Sequence, residues 1–291
     1  MTDIAIDTIS TAAGPLAYRE SGGSGPAVIF IHGNSSSGAT WKGQLSGSIG
    51  SAYRCIAVDL PGHGDSAPYG SIDDHSMPGY AATIRTLVDE LGLSDVALVG
   101  WSLGGHIALE ALTVIDAVRG VCIFGTPPMG KPPAMEEAFL PNPAMNLGFT
   151  PDLSPDDAAT FAQAFLAPGS TVPVDDFVAD ILKTSGSARL GLGASVAAAN
   201  YADEVEIVST MAAPLAIVQG VDEQLVATDF LQRVIAPTLW RGSVQLIDGA
   251  GHAPHHETPA AFDDVVLSFL DSLSAYPRGR TRQVVNGARF Q

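Results

Sequence analysis

The 291-residue chain predicts an α/β fold, a mostly parallel, doubly wound sheet with a helical cap inserted after the sixth strand. Three observations carry this. Short apolar runs at residues 27–31, 54–58, 96–99, 120–124 and 214–219 alternate with helically spaced stretches, as strands covered on both faces by crossover helices do. The run at 96–99 leads through Gly100-Trp101-Ser102-Leu103-Gly104 straight into a helical pattern, so strand, tight turn and helix follow without a linker. Between residue 129 and about 206 the strand rhythm stops, and short helical patterns punctuated by Pro and Gly replace it.

Taken in order, residues 4–10 and 16–20 alternate about Gly14-Pro15 and read as an antiparallel pair leading in. Residues 27–31 form a buried strand ending in His32-Gly33-Asn34, and a crossover helix is expected from Trp41. Residues 54–58 form the next strand, ending in Asp59-Leu-Pro-Gly-His-Gly-Asp-Ser66. Tyr80, Ile84, Leu87, Val88 and Leu91 share one helical face, which stops at Gly92. The strand at 120–124 closes on Gly125-Thr-Pro-Pro128. Helical patterns at 156–166, 174–184 and 188–201 make up the cap. A strand at 214–219, a helix near 229–235, a strand at 244–247 and a final helix at 259–273 complete the chain. The expected organisation is a core of residues 1–128 and 207–274, a cap of 129–206, and a tail of 275–291. That tail carries Arg278, Arg280, Arg282 and Arg289 and no acid. It is expected to dock on the acidic body without entering the active site.

With 46% hydrophobic and 15% charged residues the chain can bury a substantial core. A net charge of −17 argues against nucleic acid, anionic membrane surfaces and highly anionic substrates as partners. No apolar run approaches a membrane span, and residues 1–7 have neither a basic region nor a continuous apolar core, so no secretory leader is expected. Cys55 and Cys122 sit inside apolar strands, where free thiols in a reducing, cytoplasmic setting are expected.

The chemistry centres on Ser102. A turn this tight needs neighbours almost without side chains, hence Gly100, Gly104 and Gly105. It holds the hydroxyl at a helix N-terminus, where amide dipoles favour developing negative charge. A serine nucleophile needs a base, and the base needs a carboxylate to orient it. His252 follows the last strand and is the expected base. Gln219-Gly220-Val221-Asp222-Glu223 follows the preceding strand. Glu223, three residues after the glycine, is the favoured acid, and Asp222 is the alternative. The chain order serine, acid, histidine is the one this kind of sheet requires. Two oxyanion donors are expected, the backbone N–H of Leu103 and one at Asn34. His32, Gly33, Trp101, Met145, Phe149, Phe161 and Phe165 are expected to line the substrate pocket. His252, His255 and His256 form a weak metal motif because Pro254 interrupts them and no ligand-spaced cluster accompanies them, so no metal and no cofactor are expected. His63-Gly-Asp65 reads as a structural turn, and His106 as a packed, hydrogen-bonded residue.

His32-Gly33, Asp59-Leu-Pro-Gly-His-Gly-Asp-Ser66, Gly100-Trp-Ser-Leu-Gly-Gly105 and Gly251-His252, with Glu257-Thr-Pro259 and Phe262, resemble the α/β-hydrolase fold family over about residues 16–273. His32-Gly-Asn-Ser-Ser-Ser-Gly38, Ser76-Met-Pro-Gly-Tyr-Ala81, Gly100-Trp-Ser-Leu-Gly-Gly-His-Ile107 and Gly125-Thr-Pro-Pro128 resemble, more narrowly, its serine-dependent N-acyl-homoserine lactonases. That resemblance implies Ser102 as nucleophile, Glu223 as acid, His252 as base and the Asn34 and Leu103 amides as oxyanion hole. It implies no metal, and a quorum-quenching opening of a small, neutral acylated lactone. The competing expectations are a general carboxylesterase and a low-turnover ligand sensor on the same fold. Neither oligomeric state nor acyl-chain preference is legible.

Overall fold

The inner strands form because β-branched and apolar residues run in blocks with no polar face. The computed structural model describes residues 4–11 and 14–276. Its strands are β1 (Ile6–Thr11), β2 (Gly14–Glu20), β3 (Ala27–Ile31), β4 (Arg54–Val58), β5 (Val96–Trp101), β6 (Val118–Phe124), β7 (Leu215–Gly220) and β8 (Gln245–Ile247). They join in one sheet in the order β1-β2-β4-β3-β5-β6-β7-β8. β1 with β2 and β2 with β4 are antiparallel, and every later pair is parallel. Every residue of β5 and β7 is buried, as expected where helices cover both faces. β1 is mostly exposed, which suits an edge. Cys55 and Cys122 are free and buried, and burial pushes both thiols up to about 12, which makes them poor nucleophiles.

Several elements depart from the simplest reading. The first crossover is not one helix: a 3-10 turn, Gly38–Trp41, leads into Lys42–Ser46, and Gly47 separates this from Ser48–Ala52. The helix at Tyr80 starts earlier, at Met77, because Ser76 caps it by accepting from the Gly79 N–H and Pro78 sits in its first turn. The final helix, Pro259–Ser272, lies where its periodicity puts it. The tail from Pro277 onward lies outside the described residues, and with it all four arginines expected to dock it.

Between β6 and β7 there are helices and no strand: Met135–Ala138, the 3-10 stretch Pro143–Phe149, Pro155–Gln163, Asp175–Lys183, Gly186–Ala197 and Glu204–Thr210. Ser154 and Asp157 form a capping box at the start of Pro155–Gln163. Arg189, buried, ties these pieces together. Its guanidinium donates to the carbonyls of Thr150, Pro151, Ile181 and Thr184 at 2.7 to 3.1 Å, bonds that loops without a regular ladder otherwise lack.

The turn after β4 is structural, as its glycines imply. Asp59 is fully buried. Its Oδ1 accepts from Gly38 N at 2.6 Å and from Arg19 Nη1 at 2.8 Å, and its Oδ2 accepts from Asp65 N at 2.8 Å. Gly64, at φ +54, leaves room for that carboxylate, into which a Cβ would intrude. Asp59→Ala would strand two amides and leave Arg19 only its 3.3 Å pairing with Asp65. It is expected to destabilise the fold by about 3–5 kcal/mol, read as a lowered midpoint in urea at unchanged slope.

Asp180 joins the cap to the core by accepting from Ser37 Oγ at 2.8 Å. Burial, the largest influence, raises its carboxyl to about 6; nearby Asp59 adds to this, while Ser37, Arg19 and Lys183 oppose it. An acid whose folded-state pKa lies above its unfolded value near 3.9 binds more protons folded, so it weakens the fold as pH rises from about 4 through 6. Asp180→Asn should therefore gain stability over wild type by roughly 2–3 kcal/mol at pH 8 and by little at pH 4. Paired denaturant melts across that range read the difference. A gap that does not grow with pH would refute the assignment.

Candidate active site

Ser102 stands at the apex between β5 and the helix Leu103–Ala111, with φ +53, a region that residues bearing a Cβ rarely occupy. The chain can pass here only because three glycines flank it. A Cβ on Gly100 would collide with the backbone of Gly104, one on Gly104 with the carbonyls of Ile31 and His32, and one on Gly105 with the side chain of Thr126. Ser102 N donates to Phe124 O at 2.9 Å, and Thr126 Oγ1 donates to Ser102 O at 2.8 Å, so β6 fixes the apex from one side.

His252 comes from the loop after β8. Its Nδ1 donates to Glu223 Oε2 at 2.8 Å, and both side chains are 2% exposed. Glu223 Oε1 accepts from Leu225 N at 2.8 Å, which sets the carboxylate plane. Asp222 is exposed and contributes a backbone N–H to Ala250 O, so the histidine meets Glu223 and not its neighbour. The histidine loop is held by Glu257, whose carboxylate accepts from Gly251 N at 2.6 Å and from Ala167 N of the cap segment at 2.8 Å. Trp101 Nε1 donates to His252 O at 2.8 Å. Gly125 has φ +58 and lies under the imidazole; a Cβ there would sit 2.6 Å from His252 Cε1.

Ser102 and His252 open onto one cavity of about 110 Å³, although no hydrogen bond joins them in this structure. Such contacts often tighten only with a bound substrate. Gly33, Asn34, Trp101, Leu103, Met145, Phe149, Phe161 and Phe165 line it, with Leu103 at the first turn of its helix, where backbone N–H groups lack helical acceptors. Asn34 comes from the loop after β3, and its side chain is engaged: Nδ2 donates to Gly148 O at 2.6 Å, and Oδ1 accepts from Ser35 Oγ at 3.1 Å. Its backbone N–H makes no hydrogen bond among the described residues and is the donor offered to an incoming oxyanion. Gly33 is required because a Cβ would press on the Trp101 ring at 3.0 Å.

His32 is the exception among the expected pocket residues. It does not line the cavity. It is fully buried, its Nδ1 donates to Gly33 O at 2.7 Å, and its Nε2 accepts from Leu60 N at 3.0 Å. Burial lowers its pKa to about 4, so it stays neutral, as the Leu60 bond requires. It pins the loop after β3 to the loop after β4. His255 and His256 also turn away, both meeting Thr40 Oγ1, at 3.1 and 2.8 Å. Among the described residues no group of three or more His, Cys, Asp or Glu side chains could hold a metal ion.

Sequence reasoning missed part of the site. Met77, Leu192, Val196, Leu225 and Val226 line the cavity, and the distant helices carrying the first three gave no periodic signal for it. His106 also lines it, one helical turn after Ser102, while donating from Nδ1 to both oxygens of Glu204 at 2.8 and 3.0 Å.

A buried His–carboxylate pair, a strained serine at a helix N-terminus and a largely apolar cavity above them form an arrangement suited to acyl transfer. Comparison with known proteins agrees at the level of fold and family. Structures of the N-acyl homoserine lactonase AidH are 35% identical to this chain. The one complexed with N-butanoyl homoserine superposes with a TM-score of 0.90 over 95% of this chain and 100% of that one. A putative aryl esterase from Burkholderia cenocepacia superposes at 0.78 with 22% identity, over 94% and 100% of the two chains, and shows the fold alone. The non-heme chloroperoxidase CPO-A1 of Kitasatospora aureofaciens is 28% identical over 84% of this chain and 90% of its own. Residues 28–265 match the model of the alpha/beta hydrolase family, and the chain belongs to that family.

Proposed function

We propose that the protein is a metal-independent serine hydrolase that opens the lactone ring of N-acyl-homoserine lactones. The observation that carries this is the His252–Glu223 pair facing Ser102 across one apolar cavity, in a chain that AidH matches over 95% of its length. Ser102 Oγ attacks the ring carbonyl carbon while His252 Nε2 takes its proton. The oxyanion is stabilised by the backbone N–H groups of Leu103 and Asn34. Collapse breaks the ring C–O bond, and the departing alkoxide takes the proton back from His252. The acyl-enzyme keeps its leaving alcohol tethered. Water then attacks the ester with His252 as base, Ser102 is restored, and N-acyl-homoserine leaves as a carboxylate with release of one proton.

The lining supports a neutral substrate with an aliphatic tail. Met129, Met135, Phe139, Met145, Phe149, Phe161 and Phe165 surround the approach to Ser102, and Trp101 packs against Phe165 with ring centroids 5.4 Å apart. A strongly acidic body with such a cavity disfavours anionic acyl donors. The same machinery serves open-chain esters, so the distinguishing experiment compares N-hexanoyl-homoserine lactone with aryl esters of matched length. The lactone should have the higher kcat/KM. A preference of tenfold or more for every aryl ester would move the assignment to a general carboxylesterase. Binding without any turnover of either would make the protein a sensor.

A further inference from the structure

The cavity presents four polar side chains, Asn34, Ser102, His106 and His252. The proposed chemistry uses Ser102, His252 and the Asn34 backbone, and the Asn34 side chain is held by Gly148 O and Ser35 Oγ. His106 is left over, in a wall that is otherwise apolar. Glu204, fully buried, grips its Nδ1 with both carboxylate oxygens, and Glu204 Oε2 also accepts from Met129 N at 2.7 Å. A carboxylate only accepts, so Nδ1 carries the proton and Nε2 is the nitrogen offered elsewhere. Nε2 has no hydrogen-bond partner among the described residues. A ring so firmly held, with one nitrogen free of protein partners beside a substrate cavity, is a prepared contact for a polar group of the ligand.

We propose that His106, held by Glu204, is a substrate-positioning residue that binds the amide linking the acyl chain to the lactone ring. The inference rests on the reading of Ser102 as the nucleophile toward N-acylated lactones. His106 follows the Ser102 cap by one turn, its backbone N–H reaches Ser102 O at 3.4 Å, and both residues line the one cavity. Helical side chains lean toward the N-terminus, which inclines the imidazole toward Ser102. In the substrate the amide nitrogen is two covalent bonds, about 2.5 Å, from the carbon under attack. The amide therefore lies beside His106 when the ring carbonyl is at Ser102. A neutral imidazole accepts the amide N–H at Nε2, and an imidazolium donates to the amide C=O. An alkyl chain in the same place offers neither and leaves Nε2 desolvated and unpaired, so the site discriminates against it.

Two aryl esters isolate this contact, the 4-nitrophenyl esters of N-hexanoylglycine and of nonanoic acid. They have equal chain length and differ by an amide in place of two methylenes. Both require only the ester chemistry of Ser102, so the test stands whether or not the protein opens lactones, and lactone turnover by wild type is scored separately. Wild type should favour the amide ester. His106→Leu should lower kcat/KM for it by about 10–100-fold, with nonanoate unchanged or raised. Equal losses on both esters would make His106 a structural prop, and no loss on either would remove it from recognition. Both results overturn the proposal. If the Leu variant does not fold, the wild-type protein still decides. On titration with the non-hydrolysable lactam analogue until the Trp101 indole signal saturates, the His106 ring-nitrogen resonance should move. A resonance unmoved at saturation overturns the proposal.

Discussion

Ser102→Ala is expected to leave a folded protein whose kcat is lower by about 10⁵–10⁶-fold, the scale on which loss of the nucleophile acts in enzymes of this chemistry. Two features make the variant clean. The apex backbone is held by Phe124 O and Thr126 Oγ1, neither of which involves the serine hydroxyl. Alanine tolerates φ +53 no better and little worse than serine does, because both carry a single Cβ substituent against the same glycine-cleared space. Thermal midpoints within a few degrees of wild type, measured alongside turnover, verify that the fold survives. More than a few per cent of wild-type turnover in purified variant would exclude Ser102 as nucleophile.

Glu223→Gln should reduce kcat by about 10³–10⁴-fold, while Asp222→Asn stays within about threefold of wild type. The glutamine is isosteric, so the loss comes from chemistry. Its neutral amide no longer stabilises the imidazolium that forms as Ser102 attacks, and its NH₂ can drive His252 into the tautomer that has a proton on Nε2, where the serine proton must go. Asp222 is exposed and has no hydrogen bond to His252, so its charge acts through solvent that screens it. Steady-state assays on both variants decide the question, and the reverse ranking would transfer the role to Asp222.

Much of this was legible in the sequence because the governing forces are local. Unbroken apolar blocks specify β3, β4, β5 and β6 wherever both faces must be buried. Gly100, Gly104 and Gly105 announce the serine turn because nothing larger fits. Glu223 was favoured over Asp222 only because in related folds the acid usually falls three residues after the glycine at Gly220, and the structure puts its carboxylate on His252 Nδ1. His32 was misplaced for a physical reason. A histidine at a strand end can turn toward the cavity or back toward the next loop, and only the free N–H of Leu60 on β4's exit loop decides it. The partnership of His106 with Glu204 spans 98 residues and has no sequence signature. The cap lining was likewise out of reach, since Met77 and Leu192 meet the cavity through tertiary packing alone.

The central claim, ring opening at the lactone carbonyl, is tested most directly by identifying the product. Purified protein is incubated with N-hexanoyl-homoserine lactone at neutral pH, with proton release followed by pH-stat and the products by mass spectrometry. The account predicts N-hexanoyl-homoserine, heavier than the substrate by one water, formed with one proton per ring and far faster than spontaneous hydrolysis. Lactone remaining intact at the spontaneous rate, or hexanoate released by cleavage of the amide, would contradict it.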